Sequence, residues 1–196
     1  MQFFKVYSVF VLFLVIPSCG YMGSLNPLGS SHPYSSAHSS IERLRENQLN
    51  EVLKKYKNVD EIPKLELESS AHQMEKEANK ILQNCKPLPF IVDASASDIF
   101  SDVEIEKPTF RISPFSGWHF VMNIKFRSNK SFKWDTGIKA RFLDIKQAVI
   151  DESTVYLSSS GFISRPGELT NATTELEFKH APKVTKVVFE LAKPSR

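Results

Sequence analysis

The sequence predicts a mainly β protein, α+β overall, in which two short amphipathic helices precede an antiparallel β-sandwich. Three observations predict it. Between residues 41 and 86 apolar residues recur at three- and four-residue steps, the period of a helix that packs on one side. From Phe90 onward that period gives way to alternation, clearest where Phe120, Met122, Ile124 and Phe126 interleave with His119, Asn123, Lys125 and Arg127. Turn residues separate the alternating runs, with no helical period between them. The 196 residues divide into a leader over 1–18, a tether over 19–40, two helices over 41–86 and the sandwich over 87–196.

The leader follows from its order of residues. Lys5 gives a positive start, Val6 to Ile16 is an apolar run, and Pro17 breaks it before Ser18 and Cys19. The run is shorter than the ~20 residues of a membrane-spanning helix and fits the ~7–15 of a secretory signal core. Ile16-Pro17-Ser18-Cys19 resembles the lipobox of bacterial lipoproteins, in which an aliphatic, a variable and a small residue precede a cysteine, with Pro17 as a departure from the usual small or β-branched residue. The resemblance implies that Cys19 is acylated and begins the mature chain. Two or three acyl chains, at ~0.8 kcal/mol per buried methylene, would hold a domain on a bilayer where one would not. Gly20 in place of an aspartate after the cysteine implies, by the same resemblance, a cell-envelope location at the outer rather than the inner membrane. The alternative is an ordinary cleaved signal, flanked by Ser18 and Gly20, and a soluble secreted product.

Composition sets further bounds. Hydrophobic residues make up 41% of the chain, with 15 phenylalanines against 7 glycines, which supports a packed core. Cys19 and Cys85 are the chain's cysteines, too few for a disulfide scaffold. Acylation of Cys19 would leave Cys85 without a partner, whereas a secreted product could pair the two. A formal net charge of +3, with both signs interleaved, gives no basic stripe and argues against a nucleic-acid partner.

From Gly20 to Ser40 the chain is rich in Gly, Ser, Pro and Asn and reads as a flexible tether of ~25 Å, with His32 and His38 as solvated residues. Ser39 and Glu42 form a capping-box pattern, so a helix is expected from there to about Lys57, with Ile41, Leu44, Leu49, Val52, Leu53 and Tyr56 on one face. Ser70 to Gln73 repeats the pattern, and Ala71, Met74, Ala78, Ile81 and Cys85 make a second, narrower stripe that Pro87 stops. Neither helix is long enough to stand alone in water, so each stripe needs a surface, in the chain or on a partner. Cys85 reads as a small buried hydrophobe.

The strands come next. Val103, Ile105, Phe110 and Ile112 make an opening strand interrupted at Pro108, which suits an edge. The 120–126 strand follows, then Ile138, Ala140 and Phe142, then Val155 and Leu157, then Leu176 and Phe178, then Val187, Phe189 and Leu191. The turns are 113–117, 128–130, 135–137, 165–167 and Ala181-Pro182. A strand ending at Asn or Ser, a strand ending in Phe142-Leu143-Asp144, a Val149-Ile150 step and a Pro166-Gly167 turn together resemble the immunoglobulin-like FxLYD domains of bacterial envelope proteins. That resemblance covers about half of the chain. It implies a fold and an interaction module, and carries over no site residues.

Several short patterns bear on chemistry. Asp93-Ala94-Ser95-Ala96-Ser97 has the D-x-S-x-S form by which von Willebrand A-type domains hold a divalent cation, but a strand rather than a helix follows it. A polar loop is expected there, with a metal-dependent binder or enzyme using Asp93, Ser95 and Ser97 as the alternative. Asp135-Thr136-Gly137 matches one half of an aspartic-protease pair, yet sits where a hairpin turn belongs. His119 and His180 have no ligand-spaced neighbours in sequence, and Ser158 to Gly161 lacks the leading glycine of a nucleophile elbow. Asn129 and Asn171 begin N-x-S/T triplets usable in a secreted glycoprotein. The expected function is a membrane-anchored, non-enzymatic envelope module that needs no cofactor or metal and binds an envelope protein. Phe115, Trp118 and Trp134, in or beside loops, are its expected contact residues.

Overall fold

A computed structural model describes residues 32–56, 61–98, 100–113, 117–130, 136–156 and 166–192. The chain is strand-rich, with two four-stranded sheets and a helical hairpin. Helix α1 spans Ser35–Leu53 and α2 spans Lys64–Leu82. Strand β1 (Phe90–Val92) and the one-turn helix α3 (Ala94–Ser97) lead into β2 (Phe100–Ile105), β3 (Thr109–Ser113), β4 (Gly117–Ser128), β5 (Gly137–Leu143), β6 (Val149–Tyr156) and β7 (Leu169–Glu177). A 3-10 helix, Phe178–Lys183, then turns the chain into β8 (Lys186–Ala192).

The first sheet is built on β4. Phe120, Met122, Ile124 and Phe126 are all buried, as the alternation requires. β2 pairs with Ile124 to Ser128 and β3 with Gly117 to Val121, so the two behave as one edge strand cut at Pro108, which has no N–H for the ladder. A bulge between Ser101 and Glu104, where Asp102 takes a φ of 50°, twists that edge further. β7 pairs with His119 to Arg127 and therefore lies on the opposite side of β4. The second sheet runs β1-β8-β5-β6, and its β1–β8 pair is parallel where an all-antiparallel arrangement was expected. The reason is topological: β1 comes from the linker after α2, before the first hairpin, and enters beside β8 in the same direction.

One buried cluster joins the apolar faces of both sheets to the near halves of both helices. Tyr34, Ala37 and Ile41 enter it from α1 and the residue before it, and Met74, Ala78 and Leu82 from α2. Both helices therefore lie on the chain's own sheets. Asn79 fixes the contact: its Oδ1 accepts from Phe110 N–H at 2.7 Å and its Nδ2 donates to Phe110 C=O at 3.0 Å, covering the edge strand β3. The far half of the hairpin is held by its own small set of contacts, with Ile62 and Leu67 buried outside the main cluster and Tyr56 and Lys55 both bonded to Glu66.

The helix starts differ from the local capping patterns. α1 begins four residues before Ser39, whose hydroxyl donates back to Ser35 C=O, while Glu42 pairs with Arg45. Burial of Tyr34 decides this, because the stripe of 34, 37 and 41 extends the helical period toward the N-terminus. Tyr34, Ala37 and Ile41 are accordingly packed into the core, so residues 32–40 do not belong to the expected tether; the rest of that segment lies outside the described residues. α2 likewise begins at Lys64 behind Pro63, and Ser70 lies inside it. Two further residues move from their expected places. His119, expected on the solvated face, is 6% exposed beneath Arg111 and Glu175. Phe178 leaves β7 to open the 3-10 helix, which also absorbs the expected Ala181-Pro182 turn.

Outside the cluster both sheets present polar faces. Arg111–Glu175, Lys125–Glu106 and Arg127–Asp102 lie on the first sheet, and Arg141–Glu190 and Lys139–Glu152 on the second. Asp151 points inward instead and ties the sheets together, its Oδ2 accepting from Glu177 N–H at 2.8 Å and lying 3.3 Å from His180 Nδ1.

Candidate functional site

A concave surface with an aromatic floor lies where α1 passes the start of β4 and the 3-10 helix. It encloses about 500 Å³ between His38, Glu42, Arg45, Gly117, Trp118, Glu177, Phe178 and Lys179. Its floor is aromatic. His38 stacks on Phe178 at 4.2 Å and 21°, and Trp118 meets Phe178 edge-on at 5.5 Å and Phe110 at 5.6 Å. Arg45 lies over the indole at 5.7 Å, a cation–π contact that also orders the rim. Two ion pairs, Arg45–Glu42 and Lys179–Glu177, balance the rim charge.

Each floor residue is placed by its element. Trp118 is the second residue of β4, opposite Ile112 of β3, which turns it to the same face as Phe120. Phe178 follows β7 directly, opposite that end of β4, and His38 lies one turn along α1 from Tyr34. Burial, helped by Arg45, lowers the His38 pKa from 6.5 to about 4, so the ring is neutral near pH 7. Burial acts oppositely on Glu42, raising its carboxyl despite Arg45.

These directions predict a pH response. A neutral imidazole in the folded chain stabilises it above pH 6.5, and that contribution is lost as the pH falls toward 4, by about 2 kcal/mol once solvent screening is allowed for. Glu42 has the opposite sign, its raised pKa favouring the folded chain as the pH falls. The measurement is therefore a difference: urea denaturation of wild type against His38→Phe, which keeps the stack on Phe178. Wild type is expected to lose more stability between pH 6.5 and 4 than the variant, and parallel curves would refute the assignment.

The other sequence candidates fall in different places. Cys19, Phe115, Trp134 and Asp135 lie outside the described residues, so of the three aromatic contact candidates only Trp118 is located, half-buried at the second residue of β4. Asp93, Ser95 and Ser97 are engaged locally: Asp93 accepts from Ser95 N–H and caps α3, Ser95 Oγ accepts from Leu191 N–H, and Ser97 donates to Ala94 C=O. They form a clamp that continues the cover of β8 beyond β1. Among the described residues no cluster of three His, Cys, Asp or Glu groups is arranged to hold a metal ion. Cys85 packs against the core beside Lys86 and Pro87, its thiol pKa raised by burial. Asn129 accepts from Ser101, and Asn171 is exposed on β7 opposite Lys125.

Sequence reading missed His38, Arg45 and Phe178 as parts of one surface. A signal for His38 was present, since it follows Tyr34 by four residues on a continuous helical stripe. Nothing local marks Arg45 or Phe178, which meet Trp118 only through the tertiary fold. Among the described residues no helix is long and apolar enough to cross a membrane. Comparison with protein-family models, with curated proteins and with solved structures finds no match to this chain.

Proposed function

We propose that this chain is a lipid-anchored, non-enzymatic binding module of a bacterial cell envelope, held at the outer membrane through Cys19. The groove over Trp118 and Phe178 receives the partner. The observation that carries the reading is that groove, an aromatic floor inside a charge-balanced rim, which suits an apolar or aromatic side chain of a protein flanked by polar groups. Ion pairs cover much of the outer faces of the central strands, whereas the groove offers an aromatic floor in a concave surface.

Strand order supports an immunoglobulin-like reading of the two sheets. Taking β2 and β3 together as A, β4 as B and β7 as E gives one sheet, and β6, β5 and β8 as C′, C and F give the other. The G position beside F is then filled by β1, in parallel orientation.

The test has two parts. Intact mass of the protein from the host's membrane fraction reads the anchor, with a species starting at Cys19 and carrying two or three acyl chains as the expected result. A photo-crosslinking residue at Arg45 or Lys179 in living cells reads the groove, with Asn123 on the polar sheet face as control. A discrete protein adduct is expected from the groove positions and not from Asn123. Equal labelling at all three positions, or none at any, would sink the partner reading.

A further inference from the structure

We infer that one end of the second sheet is a docking face for an anionic lipid surface; its orientation toward a membrane rests on the anchor proposed above. Register brings three segments together at that end. Leu143 pairs with both Lys186 and Val149, Phe90 pairs with Val187, Thr185 N–H donates to Leu143 C=O at 2.9 Å, and Val187 N–H donates to Pro89 C=O at 3.0 Å. Residues 89–90, 143–149 and 185–187 therefore lie at one end of the sheet, with Lys86 and Lys183 on the chain that leads into them.

Their composition is one-sided. Lys86, Lys146 and Lys183 are exposed and Lys186 is half-exposed, and none of the four forms an ion pair among the described residues. The one acid of these segments, Asp144, turns its Oδ1 to Lys146 N–H and Ala148 N–H, at 2.8 and 2.9 Å, and so holds the β5–β6 turn. That turn presents Ile145 at 59% exposure with Val149 after it at 40%, and Phe90 of β1, on the other side of β8, is 38% exposed. On the adjoining rim the pairs Lys179–Glu177 and Arg45–Glu42 cancel, while Asp93 lies at the other end of β1. Unpaired lysines around protruding apolar side chains fit a surface that is anionic outside and apolar just beneath, with about 1 kcal/mol gained per lysine near the lipid.

The entry of the chain agrees with this orientation. Pro33 shares a groove with Lys86, Pro87 and Pro89, so the first described residues lie beside one of these lysines. Cys19 and His32 are separated by 12 residues, a reach of at most about 45 Å. An anchor at Cys19 therefore allows this end to reach the headgroups.

The experiment uses the unacylated chain from Gly20 onward, which retains every residue of the buried cluster, and vesicles of phosphatidylcholine with or without phosphatidylglycerol. Sedimentation is expected to show binding to the anionic vesicles at low salt, little to the neutral ones, and loss as salt rises. Lys146→Glu/Lys186→Glu is expected to weaken that binding by at least about 30-fold, the loss of two lysines at about 1 kcal/mol each, with repulsion of the two new carboxylates added to it. Arg43→Glu/Lys76→Glu, which makes the same change in net charge on exposed helix positions, is expected to leave it nearly unchanged. Thermal melts check that both variants fold, and Ile145→Ser supplies a charge-neutral variant expected to weaken binding as well. Equal loss from the two charge reversals would reduce the effect to net charge and overturn the inference. So would failure to bind anionic vesicles, the outcome expected if the lysines meet an acidic protein instead. Vesicle binding with an unacylated Cys19 in the host would remove the anchor and leave the docking face standing.

Discussion

Replacing Tyr34 by alanine is expected to cost about 3–5 kcal/mol in urea denaturation, and a chain begun at Ile41 is expected to lose at least as much. The ring is fully buried, meets Phe120 edge-on at 5.4 Å, and places its hydroxyl 3.8 Å from Met122 Sδ and against the Leu88 backbone. Burial pushes the phenol pKa well above the ordinary tyrosine value, so the hydroxyl stays protonated over the working pH range. Deleting the side chain removes the plug between α1, the linker before β1 and the first sheet. Tyr34→Phe keeps the ring and is expected to cost only about 1 kcal/mol. A chain begun at residue 32 keeps Tyr34 and should match full-length stability. Equal midpoints for chains begun at 32 and 41 would refute the placement of this segment in the core and restore it to the tether.

Asn79→Ala is expected to cost about 2–3 kcal/mol, more than Asn79→Asp at neutral pH, measured in the same way. Alanine leaves both the N–H and the C=O of Phe110 without their partner where α2 covers the edge, and it also removes the bond from Asn79 Nδ2 to Glu75 C=O. Aspartate keeps an acceptor for Phe110 N–H and loses only the donor. A cost for alanine below about 0.5 kcal/mol, typical of a surface helix position, would show that the side chain does not anchor the helix. Protease susceptibility gives a second reading, because release of α2 would expose β3 as an unpaired edge.

How far the sequence could be read varied with the range of the interaction. β4 was legible because each residue's side is set by its own period, and four apolar side chains in alternation leave only one way to face a core. The edge character of β2 and β3 was legible because Pro108 lacks a donor wherever it is placed. The helix starts were misread for the converse reason. Ser39 with Glu42, and Ser70 with Gln73, are good caps locally, but a cap contributes on the order of 1 kcal/mol, less than burying Tyr34 or Leu67. Packing therefore overruled the cap and drew both helices toward the N-terminus. His119 was misplaced because Arg111, opposite it on β3, and Glu175, whose carboxylate lies 3.7 Å from its ring, are long enough to cover it.

The candidate groove was legible only in part. An aromatic residue beside a turn singled out Trp118, but His38, Arg45 and Phe178 lie up to 140 residues from one another and share no local pattern. By itself the sequence determined the mainly β character, the helix-then-strand order and the faces of the central strands, because these depend on periodicities of about two to four residues. Only the tertiary structure decided that Tyr34 belongs to the core, that β1 runs parallel to β8, and that three segments carrying lysines converge at one end of a sheet. Each of these joins residues far apart in the chain, where register and burial, summed over the whole core, outweigh any local preference.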